Sequence, residues 1–407
     1  MATTTTHLDN AEAERQTPAP GSLLVSLPSL APETAVPLLQ KLAEAFAGVP
    51  VTVAVPDAPA QPPAAALQNS GLKIITYTPA VLSNASWTLT AADFLNSHEL
   101  VREHGATALL LLGPEPQSLE GSVLRAMADA ALRERSDLVV PRYTLPPRAG
   151  LVNSAILYPI SRALFGAAPR FPLAVDLCLS ARMAERAATA AQRLTATNQP
   201  DALVWPIAEA ATAGFSIAQV EAGPRILPQP DAPDFNSVLA HVTGSLFADV
   251  DAKAAFWQRA RVARTARESS PSAPSTSAPE DEIQPMLDAF RLAYGNLLEI
   301  WSLVLPPQSL LGLKRLSAQP LQSFAMPDPL WARVVYDFLL AYRLRTLNRG
   351  HLLGAFTPLY LAWVASHLLQ TGEGKDPERH IESVAAAFEA DKPYLVARWR
   401  WPDRFNP

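Results

Sequence analysis

Three side chains able to bind a phosphate, a sugar hydroxyl or a cation follow predicted β-strands. Asp57 and Glu115 each come shortly after an apolar run, and Arg142 follows Val139–Val140. Ligands of open, mostly parallel sheets bind in the crevice beyond the carboxyl ends of the strands. Carboxylates there can hold a divalent cation, and an arginine can pair with a diphosphate. The sequence therefore predicts a ligand-binding site at this edge of the sheet.

The elements that must position these side chains alternate between strand and helix. Short β-branched or leucine runs predict strands, and amphipathic patterns between them predict helices. Such alternation indicates an α/β domain, with a mostly parallel sheet covered by helices on both faces. The predicted strands are 22–27, 49–55, 72–77, 108–112 and 138–140, and the predicted helices are 32–46 and 119–135.

Other functional motifs are absent or have the wrong spacing for their chemistry. Gly372-Glu373-Gly374-Lys375 contains glycine and lysine but follows a helical pattern and lacks the spacing of a P-loop, so it predicts a turn. His98 and His104 are six residues apart, which does not place them on one helix face as a metal pair. No Gly-x-Ser-x-Gly nucleophile elbow occurs.

The stretch from Asp137 to Ser180 carries a series of spaced motifs. It contains Val139-Val140-Pro141-Arg142-Tyr143, then Tyr158-Pro159-Ile160-Ser161-Arg162-Ala163-Leu164-Phe165-Gly166, and then Arg170-Phe171-Pro172 ahead of Asp176. In order and spacing this series resembles bacterial nucleotide-sugar glycosyltransferases related to mannosylglycerate synthase and glucosyl-3-phosphoglycerate synthase. The resemblance implies a GT-A domain, which is Rossmann-like with a mostly parallel sheet. Looser similarity extends upstream to 24–29 and downstream to the end of the chain.

The resemblance also implies that the metal site of those enzymes is lost. They hold a divalent cation against the departing diphosphate with an Asp-x-Asp pair and a histidine. This chain has Gly113-Pro114-Glu115 at the acidic pair and Leu227 at the histidine. Leucine cannot bind magnesium or manganese, so no metal site and no cofactor are expected; the alternative is a magnesium or manganese ion held by Glu115 with other acids. Ala149, Leu203 and Ala174-Val175 replace further acids and glycines of the pattern.

Six residues are the candidate site. The resemblance makes Asp176 the candidate catalytic or sugar-orienting carboxylate, with a structural hydrogen-bonding role as the alternative. It makes Asp57 and Glu33 candidates for contact with the nucleoside, and Glu115 the surviving acid. Arg142 and Arg225 are candidates for the diphosphate, because some transferases neutralise it with arginine instead of metal. The alternative is that the acids are ordinary loop or helix-start residues and the arginines are solvated or paired at the surface.

Composition divides the chain into segments. Residues 1–21 predict a disordered leader, 22–264 the GT-A-like domain, 265–285 a Ser/Pro/Ala linker, and 286–407 an all-α C-terminal domain. The predicted C-terminal helices are 286–305, 329–347, 352–370 and 377–390. Aromatic residues at helical spacings there predict a packed core or a homodimer interface.

Charge and hydropathy limit the functional classes. A net charge of −5 and a pI near 5.9 argue against a duplex nucleic-acid partner, which needs a basic surface. The single cysteine, Cys178, allows no intrachain disulfide, and no signal peptide is recognisable, so a cytoplasmic location is expected. The apolar segment 352–369 contains Pro358 and lacks basic anchors, so it predicts a buried helix and no membrane span.

Three functions remain open. The first is a GT-A-like pseudoenzyme that has lost metal-dependent sugar transfer and acts as a binding or regulatory protein, with a UDP- or GDP-hexose as ligand. The second is an active, metal-independent glycosyltransferase that moves a hexose to a small glycerate-type acceptor. The third is an interaction scaffold that uses the helical C-terminal domain.

Overall fold

The first half of the chain forms one seven-stranded sheet in the computed structural model, which describes residues 22–57, 72–83, 85–229, 235–260, 280–372 and 376–401. The strand order is β3-β2-β1-β4-β6-β5-β7, and only β6 runs antiparallel to its neighbours. The strands are β1 Leu23–Ser26, β2 Val51–Pro56, β3 Lys73–Tyr77, β4 Ala108–Leu112, β5 Leu138–Thr144, β6 Asp176–Ser180 and β7 Ile217–Pro224. The predicted leader lies outside the described residues.

Helices cover both faces of this sheet, and a buried apolar cluster lies on each side of it. The strands β1 and β4 are fully buried, because helices pack on them from both directions. The helices are α1 Pro32–Ala45, α2 Ala91–His104, α3 Gly121–Leu132, α4 Tyr158–Phe165, α5 Ala181–Thr195, α6 Pro206–Ala213, α7 Phe235–Ala252 and α8 Ala254–Trp257. A π-helical turn, Asn153–Leu157, precedes α4.

The second half is helical, and the predicted fold class is therefore confirmed. Its helices are α9 Glu280–Asn296, α10 Leu298–Ser302, α11 Pro307–Ser317, α12 Asp328–Leu344, α13 Arg349–Gln370 and α14 Pro377–Arg400. The sequence analysis did not identify α11, and it ended α14 at residue 390 although the helix continues through Pro393. Helix α9 begins inside the predicted linker, most of which lies outside the described residues.

The helical region and the sheet domain share one hydrophobic core. Trp331 on α12 is fully buried, and its indole Nε1 donates to the Ala155 carbonyl in the π-helical turn at 2.8 Å. Helix α14 lies along α4, where Arg162 pairs with Glu382 and with Glu389. Aromatic residues of the helical region that were predicted to pack together are buried, among them Trp301, Trp331, Tyr336, Phe338 and Trp363.

Helix α13 is long and apolar enough to cross a membrane by length and composition alone. In the fold it is a core helix, because 78% of its most apolar window is buried against its neighbours. Trp331 and Phe338 of α12 stack against Phe356 of this helix.

We predict that the two regions unfold together. Separating them would expose the shared core around Trp331 and leave the inter-region arginines unpaired, although the opposite face of the sheet keeps a hydrophobic cluster of its own. Thermal denaturation followed by far-ultraviolet circular dichroism and by tryptophan fluorescence should give coincident transitions. Two resolved transitions, one for the sheet and one for the helices, would contradict the prediction.

Candidate functional site

The carboxyl edge of the sheet is tightly closed between β4 and β6. The amide of Gly113, directly after β4, donates to the carbonyl of Val175 at 2.8 Å. A Cβ atom placed on Gly113 would lie 2.5 Å from that carbonyl oxygen, so only glycine fits here. The position at which the resembling enzymes carry their first acid therefore has no room for a side chain.

Asp176 and Arg225 form a buried ion pair beside this contact. The Arg225 Nε and the Asp176 Oδ2 are 2.9 Å apart, and both side chains are 0% exposed. The Tyr143 hydroxyl donates to the same carboxylate oxygen at 2.7 Å. Burial raises the pKa of Tyr143 well above its usual value, and the charge of Asp176 adds to the rise. Burial alone would lower the pKa of Arg225, but Asp176 raises it, so the arginine stays charged.

The remaining Arg225 donors hold the loop after β4 in place. They bind the carbonyls of Pro114 at 2.7 Å and Glu115 at 2.5 Å, and the Ser118 hydroxyl at 2.8 Å. A bulge between β5 and β7, beside Gly223 at φ +65°, shifts the register just before Arg225. Arg225 therefore links the loop after β4 to the loop after β7.

Glu115 is the one acid at the position where the resembling enzymes carry an acidic pair, and its side chain points to solvent. Its backbone is left-handed, with φ at 61°, and its carboxylate accepts a short hydrogen bond from Gln117. The Arg225 guanidinium contacts its carbonyl oxygen and not its carboxylate. The structure therefore brings the Glu115 backbone to the ion pair but leaves the acid outside it.

Leu227 fills the position of the expected metal-binding histidine with apolar packing. Its Cδ1 would lie 3.4 Å from a Cβ atom on Gly150, and Leu145 and Phe171 surround the same spot. Gly150 has φ at +67°, so a side chain there would be strained as well as crowded. Leu227 joins the core beneath the sheet edge.

The other predicted residues are not brought to this cluster. Glu33 lies exposed in the first turn of α1, and Asp57 follows β2, where its amide donates to Tyr77 at 2.7 Å. Arg142 lies on β5 within 3.6 Å of Glu221 and 3.5 Å of Glu378. Of the six candidates, Asp176, Arg225 and the Glu115 backbone converge, and among the described contacts none joins the other three to them.

The sequence analysis assigned no role to three side chains that the structure places against Asp176, Arg225 or Arg170. Tyr143 and Ser118 complete the coordination of the ion pair, and Glu378 from α14 binds Arg170 through Nε and Nη2 at 3.0–3.2 Å. Tyr143 was visible as part of the motif at the end of β5. Glu378 is more than 200 residues from Arg170, and no local pattern indicates such a pairing.

No set of three histidine, cysteine, aspartate or glutamate side chains within the described residues is placed to hold a metal ion. The polar groups at the sheet edge are already bonded to one another. The absence of a required cofactor stays a prediction.

A chain of three side chains lies near Arg170, between α12, α13 and α14. Asp328 Oδ1 is 3.2 Å from His380 Nε2, and His380 Nδ1 is 2.7 Å from His367 Nδ1. Since the Asp328 carboxylate only accepts, His380 Nε2 carries a proton. Burial lowers the pKa of His367 to about 3, and the charges of His380 and Arg170 add to this effect. His367 is therefore neutral in the folded protein.

Comparison with known proteins finds solved structures only. No protein-family model matches the chain, and no curated protein matches it. Glucosyl-3-phosphoglycerate synthase from Mycobacterium tuberculosis, in complex with Mg²⁺ and uridine diphosphate, is 16% identical over 56% of this chain and 79% of that chain, with a TM-score of 0.40. A second complex of that enzyme, with Mn²⁺, UDP-glucose and phosphoglyceric acid, is 15% identical over the same shares, with a TM-score of 0.38. These values are too low to establish a shared activity.

We predict that Asp176→Asn destabilises the protein by about 3–5 kcal/mol, because it leaves the buried Arg225 without a counter-charge. Chemical denaturation at pH 7 measures the loss. Replacing both partners by apolar residues, Asp176→Leu with Arg225→Met, should cost less than the single change. Glu115→Gln, at an exposed side chain, is the control and should shift stability by no more than about 0.5 kcal/mol. An unchanged stability of Asp176→Asn would show that the pair does not hold the sheet edge.

We also predict that His367 makes the protein less stable in mild acid. Its folded pKa of about 3 lies below the unfolded value of about 6.5, so only the unfolded chain takes up this proton as the pH falls. The contribution of His367 to the free energy of unfolding is full well above pH 6.5. It falls by about 2 kcal/mol between pH 7.5 and 5. Urea unfolding of His367→Gln should lack this part of the decline. The exposed His351→Gln should retain it, and equal pH slopes for both variants would contradict the assignment.

Proposed function

We propose that this protein is a relative of the nucleotide-sugar glycosyltransferases that no longer transfers sugar with the help of a divalent cation, and that it acts as a binding or regulatory protein. The proposal rests on the motif series between Asp137 and Ser180 together with the closed sheet edge. The single observation that carries it is the packing of Gly113 against the Val175 carbonyl, since this removes the site of the first metal-binding acid.

The other residues at the expected cation site also make contacts within the protein. Leu227 stands in apolar packing, and the Glu115 carboxylate accepts from its neighbour Gln117. The metal site of the resembling enzymes uses two acids and a histidine of the protein, all directed at the cation. One exposed glutamate does not provide them.

The metal-independent transferase is the weaker candidate. That mechanism needs the Asp176 carboxylate to orient a sugar and the Arg225 guanidinium to neutralise the departing diphosphate. Both side chains are 0% exposed and bonded to each other, so neither faces solvent. Breaking the pair to admit substrate would leave two buried charges uncompensated, which is costly.

Residual nucleotide affinity is the part of the ancestral function that the exposed loops can still support. Asp57 and Glu33 lie at the carboxyl ends of β2 and β1, are exposed, and make no hydrogen bond through their side chains to the described residues. A carboxylate there can accept from ribose hydroxyls or from a base. We therefore propose a UDP- or GDP-hexose as the ligand and a cytoplasmic location, without nucleic acid.

The test is calorimetric titration with UDP-glucose and GDP-mannose, each with and without manganese. We expect weak binding that manganese does not strengthen, and no sugar transfer to glycerate or 3-phosphoglycerate. Asp57→Asn should weaken binding about five- to tenfold, or about 1 kcal/mol, whereas the exposed control Glu134→Gln should leave it unchanged. Sugar transfer that manganese stimulates would overturn the proposed loss of activity. No binding of either nucleotide sugar would overturn the ligand assignment.

A further inference from the structure

A cavity of about 950 Å³ lies away from the closed sheet edge. It is enclosed by the C-terminal half of α5, the loop 198–205, α6, α7 and α8, and Tyr342 and Leu353 of the helical region complete the wall. None of the residues in the Asp176 ion-pair cluster lines it. Small-molecule sites commonly occupy 300–1,000 Å³ and lie where two structural regions meet.

The cavity exists because the helices around it carry small side chains on the facing surfaces. Ala190 on α5, Ala248 and Gly244 on α7 and Ala255 on α8 line it, where leucines would fill the space. Gly244 is needed for packing, because a Cβ atom there would come within 2.9 Å of Leu353. Part of the remaining wall is apolar or aromatic, with contributions from Leu194, Leu203, Trp205 and Phe256. This surface fits the hydrocarbon or aromatic body of a ligand.

Charged side chains are grouped at one end of the cavity. Lys253 Nζ is 2.8 Å from Glu209 Oε1 and also pairs with Asp249, and Arg186 Nε is 2.7 Å from Glu209 Oε2. Burial would raise the pKa of Glu209, but Lys253 and Arg186 lower it, so this carboxylate is ionised. Burial raises the pKa of Asp249 to about 6, with Lys253 opposing the rise and Glu209 adding to it. The second oxygen of Asp249, Oδ2, is buried without a hydrogen-bond partner among the described residues.

Two guanidinium groups extend beyond this cluster with donors to spare. Arg186 uses only its Nε on Glu209, and its side chain is 40% exposed. Arg193 follows seven residues later on the same face of α5, is exposed, and makes no hydrogen bond with the described residues. Planar guanidinium groups are suited to the two-pronged binding of carboxylate, sulfonate or phosphate.

We propose that this cavity binds an amphipathic organic anion, with the apolar body against the alanine-lined helices and the anionic head on Arg193 and Arg186. The site is independent of nucleotide binding at the sheet edge, since the two share no lining residue. The ligand of this cavity carries one negative charge joined to an aromatic or aliphatic group.

Fluorescence titration with 8-anilinonaphthalene-1-sulfonate tests the site, and the uncharged N-phenyl-1-naphthylamine serves as the comparison probe. The full-length protein should bind the sulfonate with one-to-one stoichiometry. Ala248→Phe places a ring in the cavity from an exposed helix position and should weaken both probes at least about tenfold, or about 1.4 kcal/mol. Ala126→Phe, at an exposed position on α3 outside the cavity, is the matched control and should leave both affinities unchanged.

The charge requirement is tested separately. Arg193→Gln should weaken the sulfonate about five- to tenfold, as expected for a lost charge-assisted hydrogen bond, and should leave the uncharged probe unchanged. The exposed Arg315→Gln on α11 is its control. Circular dichroism and the melting temperature verify that each variant is folded. Unchanged sulfonate binding in Ala248→Phe would place the probe elsewhere and overturn the proposal, as would an equal effect of Arg193→Gln on both probes.

Discussion

The sheet edge depends on the buried ion pair between Asp176 and Arg225. Two charges at 0% exposure are tolerated only when they are paired and their remaining hydrogen-bonding groups are satisfied. Here Tyr143 takes part in satisfying the carboxylate, and backbone carbonyls with Ser118 satisfy the guanidinium. The loops after β4 and β7 are thereby fixed to each other. The same polar groups that suggested chemistry in the sequence are used to hold the fold.

A second set of ion pairs gives parts of the motif series a role in packing between the two regions. Tyr158 and Arg162 face α14, where the tyrosine hydroxyl donates to Glu382 and the guanidinium pairs with Glu382 and Glu389. Arg170 is bound by Glu378 from the same helix. These motif residues therefore fasten the helical region to the sheet domain.

The sequence predicted the fold well where one physical signal dominates. Apolar or β-branched runs identified β1 to β4 and the start of β5, and the buried strands among them, such as β1 and β4, read as continuous hydrophobic segments. It missed β6, and it missed β7, whose residues Gln219 and Glu221 interrupt the pattern on a half-exposed strand. The convergence of Asp176 with Arg225 follows from the antiparallel β6 and the bulge in β7, and neither feature has a local sequence signal. The burial of Asp176 could likewise not be read from its neighbours.

The contacts that close the sheet edge are physically linked, because each one depends on the position of the next. Val175 carries its carbonyl to 2.8 Å from the Gly113 amide, and this approach excludes a side chain at position 113. The same closure brings Asp176 next to Arg225, which in turn holds the Glu115 carbonyl. Introducing an acid at position 113 would push β6 away from β4 and strain the ion pair. Substitution of any single residue of this group is therefore opposed by the packing of the others, which stabilises the closed edge.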